Sequence, residues 1–541
     1  MSAQNYSDIV VMGGGLAGLT LALQIKQKLP QLSVTVIERR QHPVPHAAHK
    51  VGESSVEIGA HYFEKVLGLK SHLDNAQLKK FGFRFFFSDG RNDLQNVTEL
   101  GASRVLPTPS YQLDRGIFEN ELAKLAQEKG VNFIDGAVIR SFTIDQGNTA
   151  HQVNFDAGGT SHHMHSRWLC DASGRAGLIK RKLDLAEQNT HDANAIWFRI
   201  ADRIDINDWS TDEQWLDRCT PRNRWLSTNH LVGEGYWAWL IPLSSGSHSV
   251  GIVADAKLHP IEQFNSFDKA MEWFKVRQPQ LYKALDSRRD KLQDFAFFKR
   301  FSYGCKKVFS GTNRWALTGE AGLFLDPFYS PGSDFIAISN TYITELIAID
   351  QAQGATSMMA DIYEQIYFSL YQNMLTLYTD QYKIFGDPEV MPVKVIWDYA
   401  YYWGVMCQLF FQNKLIDVTW MARMRIKLAA IQAINSEMQL FLRAWNLVSA
   451  KRNLPQMLDQ ATLPWFAQLN KELRDDLTDA QFLDRIDTQL QQLHALAAEI
   501  VVAAQLDYAD LNADKLIALL HPAAYALAQS REVQFLFGKV A

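Results

Sequence analysis

Asp8-Ile9-Val10-Val11-Met12-Gly13-Gly14-Gly15-Leu16-Ala17-Gly18 is the stretch that decides the fold. Residues 8–12 read as a buried strand, and Leu19 to Leu29 has the periodicity of a helix. Val34-Thr35-Val36-Ile37-Glu38 reads as a second strand, so the whole forms a β–α–β unit of about 30 residues. Each glycine has a physical task. Gly13 permits the tight turn, Gly15 lets the backbone approach a pyrophosphate, and Gly18 lets the helix pack on the strand. The helix that opens at Leu16 and Ala17 turns free N–H groups and a positive dipole end toward phosphates. Glu38, followed by Arg39, ends the second strand, where a carboxylate accepts from ribose hydroxyls. A glycine-rich match alone is weak. With a strand before it, a helix after it and the acid beyond, it reads as a dinucleotide site.

Outward from this unit the chain divides by character. The expected fold class is α/β: a dinucleotide-binding, Rossmann-like domain, a β-sheet substrate domain and a C-terminal α-helical region. The dinucleotide-binding domain is expected to be discontinuous, over 1–90, 105–190 and 300–355. Residues 80–87 alternate like a strand, and 151–172 give two more around Gly158-Gly159. A β-rich substrate-side domain is expected over 190–300, with runs at Trp237 to Leu243 and Ser247 to Ala254. The α/β pattern returns at Trp315 to Gly319, and a long helix is expected from about Ser333. Over 356–541 apolar residues recur at helical spacing, as at Leu483, Ile486, Leu490 and Leu493. Asp510, Asn512 and Asp514 sit where a helix can start.

Composition bounds the rest. The 541 residues are 47% hydrophobic and 21% charged, which excludes a disordered chain. A net charge of −5 gives no global case for nucleic acid. Cys170, Cys219, Cys305 and Cys407 are far apart, without ligand or redox spacing, and read as buried thiols. The most membrane-like segment, Val395 to Gln412, carries Asp398 and several Tyr and Gln, so no membrane span is expected. With no basic leader before the first strand, the expected location is cytoplasmic. His162, His163 and His165 lack an acid or Cys partner at ligand spacing, so they read as a surface strand, and no metal is expected.

Three further segments indicate which dinucleotide is bound. Asp171-Ala172-Ser173-Gly174-Arg175 and Gly319-Glu320-Ala321 each end a strand, and Arg115 precedes a helix. This set, in this order over about residues 8–350, resembles the flavoprotein monooxygenase and halogenase superfamily, which binds FAD in an extended pose, so the resemblance makes the Rossmann-like domain an FAD-binding, PHBH-type one. The resemblance makes Arg115, Asp171, Gly174, Gly319 and Glu320 cofactor residues. Glu320 stands where that family usually has Asp at the ribitol. The helix after Gly332 would aim its N-terminus at the flavin ring.

Within the superfamily, Trp237-Ala238-Trp239-Leu240-Ile241-Pro242 resembles the Trp-x-Trp-x-Ile-Pro motif of flavin-dependent halogenases. Tyr236 separates it from Gly235, where the family has Gly directly before the motif. There the indoles wall substrate off from flavin and block direct oxygen transfer. The other reading is a pair of Trp on a core strand. Phe324-Leu325-Asp326-Pro327-Phe328-Tyr329-Ser330-Pro331-Gly332 resembles the halogenase pattern Phe-x-x-Pro-x-x-Ser-x-Gly, whose backbone amides hold halide. Pro327, Ser330, Pro331 and Gly332 are therefore candidate halide residues, with Trp237, Trp239, Ile241 and Pro242 along the tunnel. Pro331 has no N–H, so one expected donor is missing, which leaves a larger halide or a shifted site open. Tyr329 stands where tryptophan halogenases have Glu, which speaks against free tryptophan as substrate.

Lys80-Phe81-Gly82 resembles the segment that carries the halogenases' essential lysine. Val51-Gly52-Glu53-Ser54 resembles their Val-Gly-Glu loop, which makes Gly52, Glu53 and Ser54 cofactor residues. Strand alternation places Lys80, Gly82 and Arg84 on one face and Phe81, Phe83 and Phe85 on the other, with Lys79 at the surface. A desolvated lysine can polarise hypohalous acid or form a haloamine, because burial lowers its pKa. The alternative is a solvated lysine.

The resemblance implies an oxidoreductase that uses FAD reduced by a separate flavin reductase, oxygen and a halide ion, chloride or bromide. Lys80 would guide hypohalous acid to an electron-rich aromatic substrate, free or tethered to a carrier protein. The alternative is a flavin-dependent aromatic monooxygenase or a related flavoprotein oxidoreductase. A homodimer is left open. The aromatic residues concentrate at Phe81 to Phe87, Tyr236 to Trp239, Phe324 to Tyr329 and Trp397 to Phe411, which fits an aromatic-lined cavity.

Overall fold

The computed structural model describes residues 5–47, 52–145 and 150–530. Val51 lies outside the described residues. The strand Tyr6–Met12 lies between Val34–Ile37 and Thr160–Asp171, parallel to both. Trp315–Leu317 runs parallel beyond Thr160–Asp171, and Asn132–Ile134 beyond Val34–Ile37. The register aligns Met12 with Ile37 and with Asp171, and Asp171 with Leu317. Gly13, Glu38, Ala172 and Gly319 therefore emerge together at the carboxyl edge of one sheet, where α/β sheets bind ligands. The helix Leu16–Lys28 is apolar on nearly every side, and Leu19, Leu21, Ala22 and Ile25 have no exposed surface. It packs on the helices Arg115–Glu128 and Gly332–Gln351 as well as on the sheet.

A second eight-stranded sheet is mostly antiparallel and stands over the first. Its centre is the meander Thr228–Gly233, Tyr236–Pro242 and His248–Asp255, followed by Ala193–Ile200 and Leu292–Phe298. The other edge draws on distant sequence. Phe83–Phe86 pairs parallel to Thr228–Gly233, Glu99–Gly101 pairs with Phe83–Phe86, and Met457–Asp459 adds a last strand.

The region after 356 is helical, as expected from its periodicity. Thr356–Leu375, Val390–Tyr401, Val418–Val448 and Asp479–Asp507 are its long members. The last begins with a capping box between Thr478 and Gln481. Every residue from Val390 to Phe410 is buried, so the aromatic run at Trp397 is protein core. Among the described residues no helix is long and apolar enough to cross a membrane, and no group of His, Cys, Asp and Glu is placed to hold a metal. The His162–His165 strand segment is largely exposed.

One local expectation is corrected. The strand at 80–87 covers only Phe83–Phe86. Gly82 has φ +76°, a left-handed turn that interrupts the alternation. Lys80 is therefore not on the face of Arg84. Its Nζ lies 3.4 Å from the centroid of the Phe83 ring, whereas Arg84 is buried against Glu99 and the backbone of Ala102. Lys79 is exposed.

Candidate active site

A cleft of about 750 Å³ runs along the carboxyl edge of the first sheet and under the second. Gly13, Gly15, Leu16 and Ala17 line its floor, with Glu38 and Arg39 at one end. Backbone proximity explains the glycines. A Cβ on Gly13, whose φ is +114°, would stand 2.4 Å from the Ala172 carbonyl oxygen. One on Gly18 would stand 1.9 Å from the Gly13 oxygen, so Gly18 serves packing and does not itself line the cleft. The helix from Leu16 has no side-chain cap and no acid in its first turn, which leaves its amides open to phosphate. Glu38 accepts from the Gly14 N–H at 2.6 Å and the Arg40 N–H at 2.8 Å, which fixes its carboxylate at the strand end. These features fit the pyrophosphate and ribose of a dinucleotide.

Gly52, Glu53, Ser54 and Arg115 line the opposite wall, and Gly174, Gly319 and Glu320 line the middle. The Glu53 carboxylate is buried against Arg199 at 2.8 Å, and Arg199 also holds Asp294. This ties the loop at 52–54 to the second sheet. Arg115 donates to Glu119 at 2.6 Å and reaches the Gly52 oxygen at 3.4 Å. Asp171 does not line the cleft. Its carboxylate accepts from the Ser173 and Ile179 amides, which shapes the turn that presents Gly174. Burial pushes the Glu320 carboxyl up, with Arg175, Arg115 and Lys180 partly offsetting it.

The far end of the cleft meets the aromatic wall. Trp237, Trp239 and Ile241 line it; Pro242 ends the same strand outside the lining. Pro327, Ser330, Pro331 and Gly332 form the facing loop. Tyr329 and Ser330 have φ of +64° and +57°, two consecutive left-handed residues without glycine's freedom. The Ser330 N–H is spent on the Pro327 oxygen at 2.9 Å. Since Pro331 has no N–H, the open amides here belong to the first turn of the helix Gly332–Gln351.

Behind this loop, Lys80 is 4% exposed. Its Nζ donates to Ser54 Oγ at 2.9 Å and to the Ser55 oxygen at 3.1 Å, and lies over Phe83. An ammonium has three donors, so one stays uncommitted. Burial lowers the amine to about 7 against the opposing pull of Glu57 and Asp334. Burial also raises both acids, Asp334 to about 8. A second, small chamber adjoins. It is lined by Phe83, Tyr329, Pro331, Asp334, Tyr399 and Tyr402, and closed on the helical side by Met374, Leu377 and Asp398. Pro331 lines both chamber and cleft, whereas Lys80 itself lines neither; its neighbours Phe83 and Asp334 line the chamber.

The comparisons with known proteins agree with this geometry. A family model described as the FAD binding domain matches residues 6–250. The flavin-dependent halogenase chlA of Dictyostelium discoideum is 26% identical over 436 residues, 74% of this chain and 70% of that protein. The 1H-pyrrole-2-carbonyl peptidyl-carrier-protein brominase of Pseudoalteromonas luteoviolacea is 27% identical over 344 residues, 62% of this chain and 75% of its own length. Among solved structures, halogenase PltM superposes with a TM-score of 0.63 at 16% identity, over 97% of this chain and 99% of that one. The chain is thus similar in sequence to flavin-dependent halogenases and carries an FAD binding domain.

The chain also carries a buried cluster that its sequence does not announce. His191 Nε2 and Tyr382 Oη both lie 2.6 Å from Asp326 Oδ2, and the Phe328 amide donates to Oδ1 at 2.8 Å. The Trp237 indole donates to the Tyr382 oxygen at 3.1 Å. One carboxylate thus joins the halide-motif loop, the second sheet, the helical region and the first Trp of the Trp-x-Trp motif. Asp326 was within the quoted motif, but His191 and Tyr382 stand in no pattern. Trp239 is fixed separately by Ser249, at 3.1 Å, and by the absence of a side chain at Gly251, where a Cβ would be 2.3 Å from the ring. Glu57 and Asp334 were likewise invisible, because only folding brings them to Lys80.

Proposed function

We propose that this halogenase takes FAD reduced by a separate flavin reductase, together with oxygen and chloride or bromide. It halogenates an electron-rich aromatic substrate through hypohalous acid guided by Lys80. The observation that carries this reading is the placement of Lys80: a buried amine, held by two acceptors, packed on Phe83, which lines the chamber, and bonded to Ser54, which lines the cleft. Bound FAD supplies the reduction of oxygen and the oxidation of halide. The chain's own residues do the rest. Trp237 and Trp239 keep the arene away from the cleft. The first-turn amides of the helix Gly332–Gln351 attract halide. Lys80 as ammonium donates its free N–H to the hypohalous oxygen and draws charge from the halogen, while Ser54 and Ser55 fix its aim. Four buried thiols are consistent with a reducing, cytoplasmic setting.

The arene class has support from two directions. One relative is a brominase of a pyrrole carried on a peptidyl carrier protein, and PltM has been solved with phloroglucinol. The experiment supplies purified protein with FAD, a flavin reductase, NADH and bromide, and reads mass shifts over a phenol, indole and pyrrole panel. A brominated product that disappears in Lys80→Ala, with oxidation of the reduced flavin by oxygen retained, is expected. Hydroxylated product independent of halide would sink the reading.

One observation favours a second reading, an aromatic monooxygenase or related flavoprotein oxidoreductase on the same scaffold. The Ser330 amide is consumed internally and Pro331 has none, so neither residue offers halide a backbone donor there. Halide titration of the flavin absorbance separates the two: a saturable shift supports halogenation, and its absence up to molar bromide supports the rival.

A further inference from the structure

The loop 326–331 holds an unfavourable backbone shape. Tyr329 and Ser330 are consecutive left-handed residues, and the Cβ of each makes that conformation costly. Such a bend persists only where its surroundings over-determine it. Within the loop, one backbone bond closes the turn, from the Ser330 N–H to the Pro327 oxygen. Three more bonds tie it to the helical region, each through a buried phenol. The Tyr378 hydroxyl donates to the Phe328 oxygen at 3.0 Å. The Tyr382 hydroxyl donates to Asp326 at 2.6 Å, with His191 on the same carboxylate oxygen. The Tyr329 hydroxyl donates to Asp398 at 2.9 Å, and Asp398 is held in turn by Lys394 at 2.8 Å and Gln439 at 2.7 Å. The Phe328 ring stacks on Phe385 of the same region, with centroids 4.6 Å apart.

The bend decides how the next helix meets the cleft. Pro331 stands at the N-cap of the helix Gly332–Gln351, and Ser330, Pro331, Gly332 and Ser333 all line the cleft. Were Tyr329 and Ser330 to relax into right-handed or extended backbone, the chain would enter the helix from another direction. Its open first-turn amides would then leave the cleft wall. Neither Ser330 nor Pro331 can replace them, since one amide is spent and the other is missing.

Resting on the halogenase reading above, we propose that Tyr378, Tyr382 and Asp398 are positioning residues for halide. From the helical region they hold the loop 326–331 in its strained bend, and the bend holds the helix amides where halide binds. Halide affinity is therefore set partly by side chains that do not touch halide. Tyr378 and Asp398 lie outside the lining of the cleft altogether.

The test separates this role from ordinary core packing. Tyr378→Phe keeps the ring and removes only the O–H on the Phe328 oxygen. Tyr329→Phe does the same for the bond to Asp398. Tyr342→Phe is the control: another fully buried phenol, bonded to the Leu415 oxygen and not to the loop. FAD-loaded protein labelled with 5-fluorotryptophan is read by fluorine NMR, with the Trp237 resonance assigned by its loss in Trp237→Phe. Trp237 senses the loop through Phe328, whose ring it meets edge-on at 5.2 Å. The same samples are titrated with bromide by flavin absorbance.

In both loop variants the Trp237 resonance should shift or broaden, and bromide affinity should fall about three- to tenfold. Tyr342→Phe should match wild type in both. Adding Ser330→Gly to Tyr378→Phe lowers the cost of the bend and should return the resonance toward its wild-type position. An unmoved resonance in both loop variants overturns the proposal, and so does an equal change in Tyr342→Phe. A moved resonance with undiminished bromide affinity overturns the link from loop to halide. Wild-type protein blind to bromide would instead sink the halogenase reading. The hold on the loop would then be upheld by a resonance change confined to the loop variants, and overturned without one.

Discussion

The cleft and the chamber meet at Pro331, yet they are built from different materials. The cleft is made of backbone: glycines whose missing side chains admit close approach, an uncapped helix N-terminus, and Glu38 held by two amides. The chamber is made of side chains drawn from Val56, Phe83, Tyr329, Asp334, Met374 and Tyr399, which only the fold brings together. Backbone dipoles do not titrate. The chamber and the lysine packed behind its Phe83 wall instead concentrate buried ionisable groups, with Lys80 lowered to about 7 and Asp334 raised to about 8. Cofactor recognition on this chain should therefore break through steric changes, and reactivity through changes of charge and pH.

The largest expected break is Gly18→Val. Its Cβ would fall 1.9 Å from the Gly13 oxygen, so we expect FAD-free or insoluble protein, read from the flavin-to-protein ratio. Lys80→Ala comes next and should split the two regions. Product formation should fall about 10²–10⁴-fold while the flavin-to-protein ratio holds. Equal losses of both would deny the division.

Asp334→Asn sharpens the comparison through pH. The folded carboxyl sits at about 8 and an unfolded aspartate at about 4, so the native state keeps a proton that the unfolded state releases in between. Stability from this group is full below about pH 4 and is lost as pH rises through 8. The asparagine variant never ionises, so its Tm should gain on wild type over that window. Lys80 acts in the opposite sense. Its folded value of about 7 lies below that of the unfolded chain, so stability rises from about pH 7 to 10. A Tm difference between wild type and variant that does not change with pH would count against burial as the cause.

Tyr382→Phe removes one donor to Asp326 and the acceptor of the Trp237 indole, and should cost about 1–2 kcal/mol in urea unfolding. It should also shift Trp fluorescence. The smallest effect belongs to Lys79→Ala, adjacent to Lys80 in sequence but exposed. Stability should stay within about 0.5 kcal/mol and product formation should match wild type.

The same division governs what the sequence discloses. Backbone-built sites leave local marks, so the β–α–β unit, Glu38 and the parallel pairing of its two strands follow from one short window. The helical region was legible as helix from periodicity alone. Phe83–Phe86 was legible as strand, but the side-chain placement around it was not, since the positive φ of Gly82 breaks the alternation. Glu57, Asp334, His191 and Tyr382 were not legible. Each is an ordinary residue until a long-range contact gives it a partner, and Tyr382 stands 145 residues from the Trp237 it holds. Asp171 shows the converse. Its motif was plain, yet its carboxylate braces a turn and does not reach the cleft.

The strand Met457–Asp459 has a practical consequence for engineering. It lies deep in the helical region by sequence, yet it closes an edge of the second sheet beside Glu99–Gly101. Nearby, Asn453 exchanges hydrogen bonds with Thr98 and Phe87, and Asp459 caps Ser103. The helical cover is stitched to the sheet on which the Phe83 strand also lies. Exchanging covers between relatives to change substrate preference would need to carry residues 453–459 along with their counterparts at 98–103. A chimera cut at 356 that mismatches this seam would expose a raw strand edge and invite aggregation before any new specificity was tested.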